Sequence, residues 1–101
     1  MSAAGAGAGA RSAAVHQFVP ALNPHDATET HTLRTQAVLR QAGWRSEIFA
    51  EAIHDDLAGS AYKYWTYPEH AAAGDVAMYQ FTTSSSLAGF LAERELPLIV
   101  P

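Results

Sequence analysis

The stretch from residue 23 to residue 31 carries side chains that can hydrogen-bond a ligand or move a proton. These side chains are Asn23, His25, Asp26 and His31. They follow the short apolar run 15–19, which Pro20 ends and whose flanks favour a buried strand. Ligands of open α/β sheets bind outside the carboxyl ends of strands, so this position suits a binding loop.

A helix cap is an equally direct explanation for part of this segment. Asp26 precedes a helical pattern over residues 27–42, and Glu29 stands three positions after it, as in a capping box. Helical spacing also puts His31 on the inward face, together with Thr35, Val38, Leu39 and Ala42, and leaves Leu33 off that face. His31 is then either a core or capping histidine, which is the commoner case, or a group that contacts ligand or handles a proton.

A second polar segment, TTSSS, follows the apolar run 76–81 and precedes a helix that begins near Leu87. It contains Ser84, Ser85 and Ser86. Hydroxyls and backbone N–H groups at a helix N-terminus suit an anion. Serine and threonine at that position are first of all helix caps, so both interpretations remain.

The motifs of several enzyme classes are absent from the sequence. It contains no G-x-G-x-x-G, no G-x-x-x-x-G-K-[ST] and no G-x-S-x-G. The spacing of His25, Asp26 and His31 matches no metal motif, so we expect neither a metal ion nor a cofactor. His54 with Asp55 and Asp56 indicates a solvated loop. The aromatic cluster around Trp65 favours packing, with sugar stacking as the alternative.

The pattern of elements predicts an α/β fold. Strands are expected at residues 15–19, 46–50, 76–81 and 96–100, with helices after the first and the third. Gly43 is placed to stop the first helix, and residues 55–73 fit either a loop or a short edge element. This alternation is typical of parallel βαβ units, so we expect an incomplete doubly wound, Rossmann-like parallel sheet.

Composition limits the domain organisation and the partners. Residues 1–14 are nearly all Ala, Gly and Ser, which predicts a disordered tail before a partial domain over residues 15–101. The formal charge is −4 and the six Lys/Arg are scattered, which argues against nucleic acid. The chain has no cysteine and no apolar run long enough to span a bilayer, and we expect a cytoplasmic protein.

Several of these segments together resemble the start of bacterial glycosyltransferases of the family 4 kind. The resemblance lies in VHQFVP, in Asp26-Ala27 with His31, in LRQAG and SEIF, and in Asp75-Val76 with the YQF and SSSL segments. It covers almost all of residues 15–101. Enzymes of that family are retaining and have the GT-B fold, in which two Rossmann-like domains face a cleft.

The resemblance implies a division of labour between the two domains. The N-terminal domain shapes the acceptor side of the cleft, and the C-terminal domain grips the nucleotide-sugar donor. Residues 23–31 and 84–86 would then line the acceptor side, and a sugar would pass from the donor to a hydroxyl acceptor. This sequence departs from many relatives by carrying ALNPHD where they have a glycine-rich loop.

Two other classes of protein fit the same pattern of elements. One is a small non-catalytic α/β binding module that holds a ligand through the same strand-end loops. The other is a small flavodoxin-like or receiver domain, which is weaker because a receiver has an acidic cluster after its first strand. Peripheral contact with a membrane remains open, although no basic amphipathic helix supports it.

Overall fold

The computed structural model describes residues 12–79, 87–94 and 96–99. Its strands are β1 (Val15–Leu22), β2 (Ile48–Ile53), β3 (Tyr62–Lys63), β4 (Val76–Tyr79) and β5 (Leu98–Ile99). Its α-helices are α1 (Ala27–Gln41) and α2 (Leu87–Ala92). Two 3₁₀ helices, Asp55–Leu57 and Tyr64–Glu69, flank β3 within residues 55–73, for which the sequence predicted a loop or a short edge element.

The five strands form one sheet in the order β3-β2-β1-β4-β5, and every pair is parallel. This confirms the predicted Rossmann-like parallel sheet, because the order equals the first five strands of that arrangement. It differs from the flavodoxin-like order 2-1-3-4-5. The position of the short β3 distinguishes the two strand orders, because β3 pairs on the outer side of β2 rather than beside β1.

The two faces of the sheet carry separate apolar clusters, as a doubly wound sheet requires. On one face, Leu33 of α1 packs against Val19, Ile48 and Ala50. On the other face, Leu87 and Leu91 of α2 join a mainly aromatic cluster. That cluster also contains Phe18, Phe49, Tyr67, Ala77 and Tyr79. The ring of Phe18 in β1 stacks on the ring of Phe49 in β2, with the ring centroids 5.1 Å apart.

The inward face predicted for α1 is wrong. Thr32 and Gln36 are buried and Leu33 contacts the core, whereas His31 is exposed and Val38 is 59% exposed. Hydrogen bonds to other segments determine which side of α1 is buried, because the buried Gln17 side chain donates to the Thr32 carbonyl over 2.9 Å. The Gln36 amide donates in the same way to the Ser46 carbonyl. The spacing of apolar residues therefore could not predict which face of α1 is buried.

Strand β1 continues past Pro20, where the sequence predicted its end. Val15 and Gln17 donate their N–H groups to the Arg45 and Glu47 carbonyls, so odd-numbered N–H groups of β1 point toward β2. Pro20 is even-numbered, and its missing N–H falls on the β4 side. There the described pairing already ends at Phe18 with Tyr79. Proline is tolerated where its nitrogen faces away from a ladder, and here it faces away from the described pairing of β1 with β2.

The remaining boundaries differ by a few residues. The second strand was predicted at 46–50 and begins at Ile48, since the Ser46 carbonyl is taken by Gln36 and Arg40. The last strand is Leu98–Ile99 within the predicted 96–100. Gly43, with φ of 97°, follows α1 as expected. Residues 80, 81 and 100 lie outside the described residues.

The chain is already part of the sheet before the predicted boundary at residue 15. Ala14, which composition assigned to the tail, is fully buried and bridges to Arg45. Its N–H group donates to the Asp75 carboxylate over 2.9 Å. Residues 1–11 of the expected tail lie outside the described residues.

Asp75 is the polar centre of the amino-terminal end of the sheet. Its side chain is buried, and besides Ala14 it accepts hydrogen bonds from the Tyr67 hydroxyl at 2.8 Å and the Ala72 N–H at 3.0 Å. The carboxylate thereby joins β1, the second 3₁₀ helix and the turn before β4. Buried carboxylates are tolerated only when several donors satisfy them, as these three do.

Replacing Asp75 is expected to destabilise the fold more than removing one of its donors. Asp75→Asn presents an NH₂ group to donors and should lower the free energy of unfolding by about 2–3 kcal/mol. Tyr67→Phe removes a single hydroxyl and should lower it by about 1 kcal/mol. Urea unfolding of the two variants measures both values. An Asp75→Asn loss no larger than that of Tyr67→Phe would contradict the central role of the carboxylate.

Candidate functional site

The carboxyl ends of β1 and β2 lie at the same level of the sheet. Leu22 pairs with Ile53, and the His54 N–H donates to the Leu22 carbonyl over 2.9 Å. The loops that follow these strands, residues 23–26 and 54–56, are therefore neighbours. The strand order also reverses between β1 and β4, and open α/β sheets bind ligands at such a switch point.

The loop after β1 presents three of the predicted site residues together. Asn23, His25 and Asp26 are all exposed. Asp26 caps α1 as expected, accepting from the Thr28 N–H over 2.9 Å. The other half of the capping box is displaced by one residue, because Glu29 accepts from the His25 N–H at 3.2 Å.

His25 has a left-handed backbone with φ of 63°. Histidine is among the few non-glycine residues found there with any frequency, but the conformation still carries strain. Glycine adopts such a φ without strain. The loop therefore combines a glycine-like backbone with an exposed imidazole.

The other predicted site residues are not brought to this loop. His31 is exposed on the outer side of α1, so its predicted place on the inward face is wrong. The prediction for Ser84, Ser85 and Ser86 lies outside the described residues. Of the two predicted segments, the structure thus describes only the first, and within it the cluster is Asn23, His25 and Asp26.

The loop after β2 is polar and exposed, as the sequence predicted, but its place beside the β1 loop was not foreseen. The His54 imidazole accepts the Asp56 N–H at 3.0 Å and so fixes the start of the first 3₁₀ helix. Neither loop, 23–26 or 54–56, contains Lys or Arg. Neutral and acidic groups of this kind suit the hydroxyls of a ligand better than its phosphates.

His16 belongs to a buried network at the opposite, amino-terminal end of the sheet. Its Nδ1 accepts the Glu47 N–H at 3.0 Å, so the proton of the neutral ring is on Nε2. Nε2 lies 3.7 Å from the Asp75 carboxylate and has no hydrogen-bond partner among the described residues. Burial lowers the pKa of His16 to about 4, against the opposing attraction of Asp75.

The groups around His16 are occupied by structural contacts. Burial and the hydrogen bond to Asp75 raise the pKa of Tyr67 above its usual range. Arg45 donates to the carbonyls of Ser12 and His70, the latter at 3.1 Å. A histidine inside an apolar run and an aspartate before a buried strand were the available sequence signals for this network. It holds the fold rather than offering a site.

A cavity of about 420 Å³ lies on the α1 face of the sheet, between α1 and residues 58–62. Leu33, Gln36, Arg40 and Glu47 line its other side. Gln36 and Arg40 already donate to the Ser46 carbonyl, and Arg40 pairs with Glu47 at 3.1 Å. None of the predicted site residues lines this cavity, and its polar groups are largely satisfied.

The described part of the chain contains neither a cluster of metal-ligating side chains nor a membrane-spanning helix. Within residues 12–79, 87–94 and 96–99, no three His, Asp or Glu residues are grouped to hold a metal ion. Over the same residues, no helix combines the length and the apolar character needed to cross a membrane.

The buried neutral His16 makes stability depend on pH in a defined window. Between pH 6.5 and about 4 the unfolded chain protonates this imidazole and the folded chain does not. The free energy of unfolding should therefore fall as the pH drops through this window. His16→Gln should show a shallower fall, measured by urea unfolding at a series of pH values. Parallel curves for both proteins would contradict the buried neutral state.

Comparison with known proteins leaves the fold and the site as the basis for any functional conclusion. No family model matches the chain, and no curated protein or solved structure does so either.

Proposed function

We propose that this chain contributes the acceptor side of the cleft of a retaining, nucleotide-sugar-dependent glycosyltransferase. The observation that carries the proposal is the reversal of strand order between β1 and β4, which marks the usual ligand position of a Rossmann-like sheet. Asn23, His25 and Asp26 stand at the carboxyl end of β1 at that point and are exposed.

The segments that resemble family 4 glycosyltransferases support the proposal through their places in the fold. VHQFVP forms most of the central strand β1, and SEIF leads into β2. LRQAG contains the last residue of α1, Gln41, and Gly43 with its positive φ. Asp75, which opens a further resembling segment, is the buried carboxylate on which the amino-terminal end depends. The similarity thus falls on positions that determine the fold.

The chemistry of the exposed loop suits an acceptor rather than a donor. In glycosyl transfer the acceptor oxygen bonds to the anomeric carbon, the bond from that carbon to the diphosphate breaks, and the hydroxyl proton departs. Asn23 and His25 can hydrogen-bond sugar hydroxyls. The leaving diphosphate needs cations to stabilise it, and residues 23–26 and 54–56 supply none. On this proposal the donor is held by a second domain, as in the resembled family.

The outer strand of the sheet is also consistent with a larger enzyme. Leu98 and Ile99 of β5 are 46% and 47% exposed. Consecutive side chains of a strand point to opposite faces, so apolar surface is open on both faces at β5. Further elements of a complete N-terminal domain would cover it.

The chain alone should not transfer sugar. Incubated with radiolabelled nucleotide-sugars and simple glycoside acceptors, the purified 101-residue protein should form no glycoside and release no nucleoside diphosphate above a protein-free control. The physical reason is that residues 23–26 and 54–56 carry no cationic group to stabilise the leaving diphosphate. Measurable transfer by this chain would refute the assignment to the acceptor side alone.

Binding should discriminate between the two substrates. In ¹H–¹⁵N spectra, millimolar methyl glucoside should shift the amide signals of residues 23–26 and 54–56. UDP-glucose should shift no amide signals other than those that methyl glucoside shifts. The amides of Arg45 and His70, at the amino-terminal end, serve as the internal control. Shifts confined to the cavity beside α1, or tight binding of UDP-glucose, would count against the proposal.

A further inference from the structure

The aromatic residues between 62 and 68 have different surroundings. Tyr67 is buried in the core, and Tyr64 packs edge-on against Phe90 of α2 with centroids 5.0 Å apart. Trp65 does not join them, because 56% of its surface is exposed. The expectation that this cluster is packing therefore holds for the two tyrosines and leaves Trp65 to be explained.

The Trp65 indole is held in place although it is exposed. Tyr64 meets its ring nearly perpendicularly, with centroids 5.3 Å apart and an angle of 81°. The backbone beneath it is fixed by the Thr66 hydroxyl, which donates to the Lys63 carbonyl at 2.8 Å. Two residues later Tyr67 is anchored on Asp75. A large apolar ring on a rigid support loses little conformational entropy when a ligand covers it.

A cation accompanies this ring. The Lys63 ammonium lies over the indole, 5.9 Å from its centroid. Lys63 is the only lysine in the sequence and is exposed. An ammonium beside an aromatic face can bind a phosphate while the face packs against apolar C–H groups of the same ligand.

Both residues follow the carboxyl end of the short edge strand. Lys63 is the last residue of β3 and pairs with Ala50, three residues before Ile53 ends β2. It is thus level with the middle of β2 and not with the loops after β1 and β2. Trp65 lies two residues further on, in the second 3₁₀ helix. The positive charge that those two loops lack is present here.

We propose that Trp65 and Lys63 form a subsite for a phosphorylated hexose. The sugar ring lays its C–H face on the indole, and its phosphate binds the Lys63 ammonium. This inference rests on the proposed acceptor side and specifies its substrate class as a sugar that also carries a phosphate.

The chain offers a clean fluorescence test, because it contains only two tryptophans. Trp44 follows α1 and precedes β2, so Trp44→Phe leaves Trp65 as the sole indole reporter. Titration with glucose 6-phosphate should change the Trp65 emission saturably, with a dissociation constant of about 1 mM. Glucose and inorganic phosphate, each lacking one of the two contacts, should bind roughly tenfold more weakly.

Two variants separate the contacts. In the Trp44→Phe background, Lys63→Gln should weaken glucose 6-phosphate binding roughly fivefold and leave glucose binding unchanged. Trp65→Phe in the parent chain leaves Trp44 as reporter, and its emission should not respond. Both substituted residues are exposed, and a cooperative thermal melt checks that each variant is folded. A linear Trp65 response, or an unchanged affinity in Lys63→Gln, overturns the subsite.

The amide signals of residues 23–26, recorded in the same titration, distinguish this inference from the proposal beneath it. If they shift while Trp65 stays silent, the subsite is wrong and the acceptor side stands. If Trp65 responds and they do not, the subsite stands and the acceptor side at β1 loses its support. If neither responds, both are refuted.

Discussion

The Asp75 carboxylate joins the entry to β1, 61 residues away in the chain, to two segments that lie close to Asp75 in the sequence. It accepts from Ala14 at the entry to β1, from Ala72 in the turn before β4, and from Tyr67 in the second 3₁₀ helix. Parallel strands normally need a long crossover, usually an α-helix, between them. Here the crossover from β3 to β4 contains only a 3₁₀ helix. The hydrogen bond from Tyr67 to Asp75 holds that helix against the sheet.

The two ends of the sheet therefore have different roles. The amino-terminal end stabilises the fold, and the carboxyl-terminal end leaves polar groups exposed for a ligand. At the amino-terminal end, the hydrogen bonds of Asp75 and Arg45 go to backbone groups and to the Tyr67 hydroxyl. His16 likewise uses its Nδ1 to accept a backbone N–H. At the carboxyl-terminal end, Asn23 and His25 are exposed beside the switch point. Strong polar interactions hold the sheet at one end, and polar groups remain open at the other.

The sequence predicted the features that depend on long apolar runs and on local backbone chemistry. Strand β4 begins at Val76 as expected, and Asp26 and Gly43 delimit α1 as expected. The face of α1 could not be predicted, because Thr32 and Gln36 are buried by hydrogen bonds to other segments rather than by hydrophobicity. The prediction that β1 ends at Pro20 was wrong for a related reason. The effect of a proline on a strand depends on which neighbouring strand its nitrogen faces.

The candidate site was predictable only in part. The loop after β1 follows from the strand-end rule, whereas its neighbour after β2 depends on the pairing of Leu22 with Ile53. The exposure of Trp65 depends on how the second 3₁₀ helix turns Tyr64 and Tyr67 inward. Neither the pairing register nor the rotation of a short helix leaves a periodic signal in the sequence.

The genomic sequence beyond the codon for Pro101 tests the proposal that this sheet is the acceptor side of a glycosyltransferase. If the proposal is right, a continuation, in frame or frameshifted, encodes the rest of this sheet and a second α/β domain. That domain should carry a pair of glutamates and basic residues for the nucleotide-sugar. The absence of such a domain from every frame would contradict the claim.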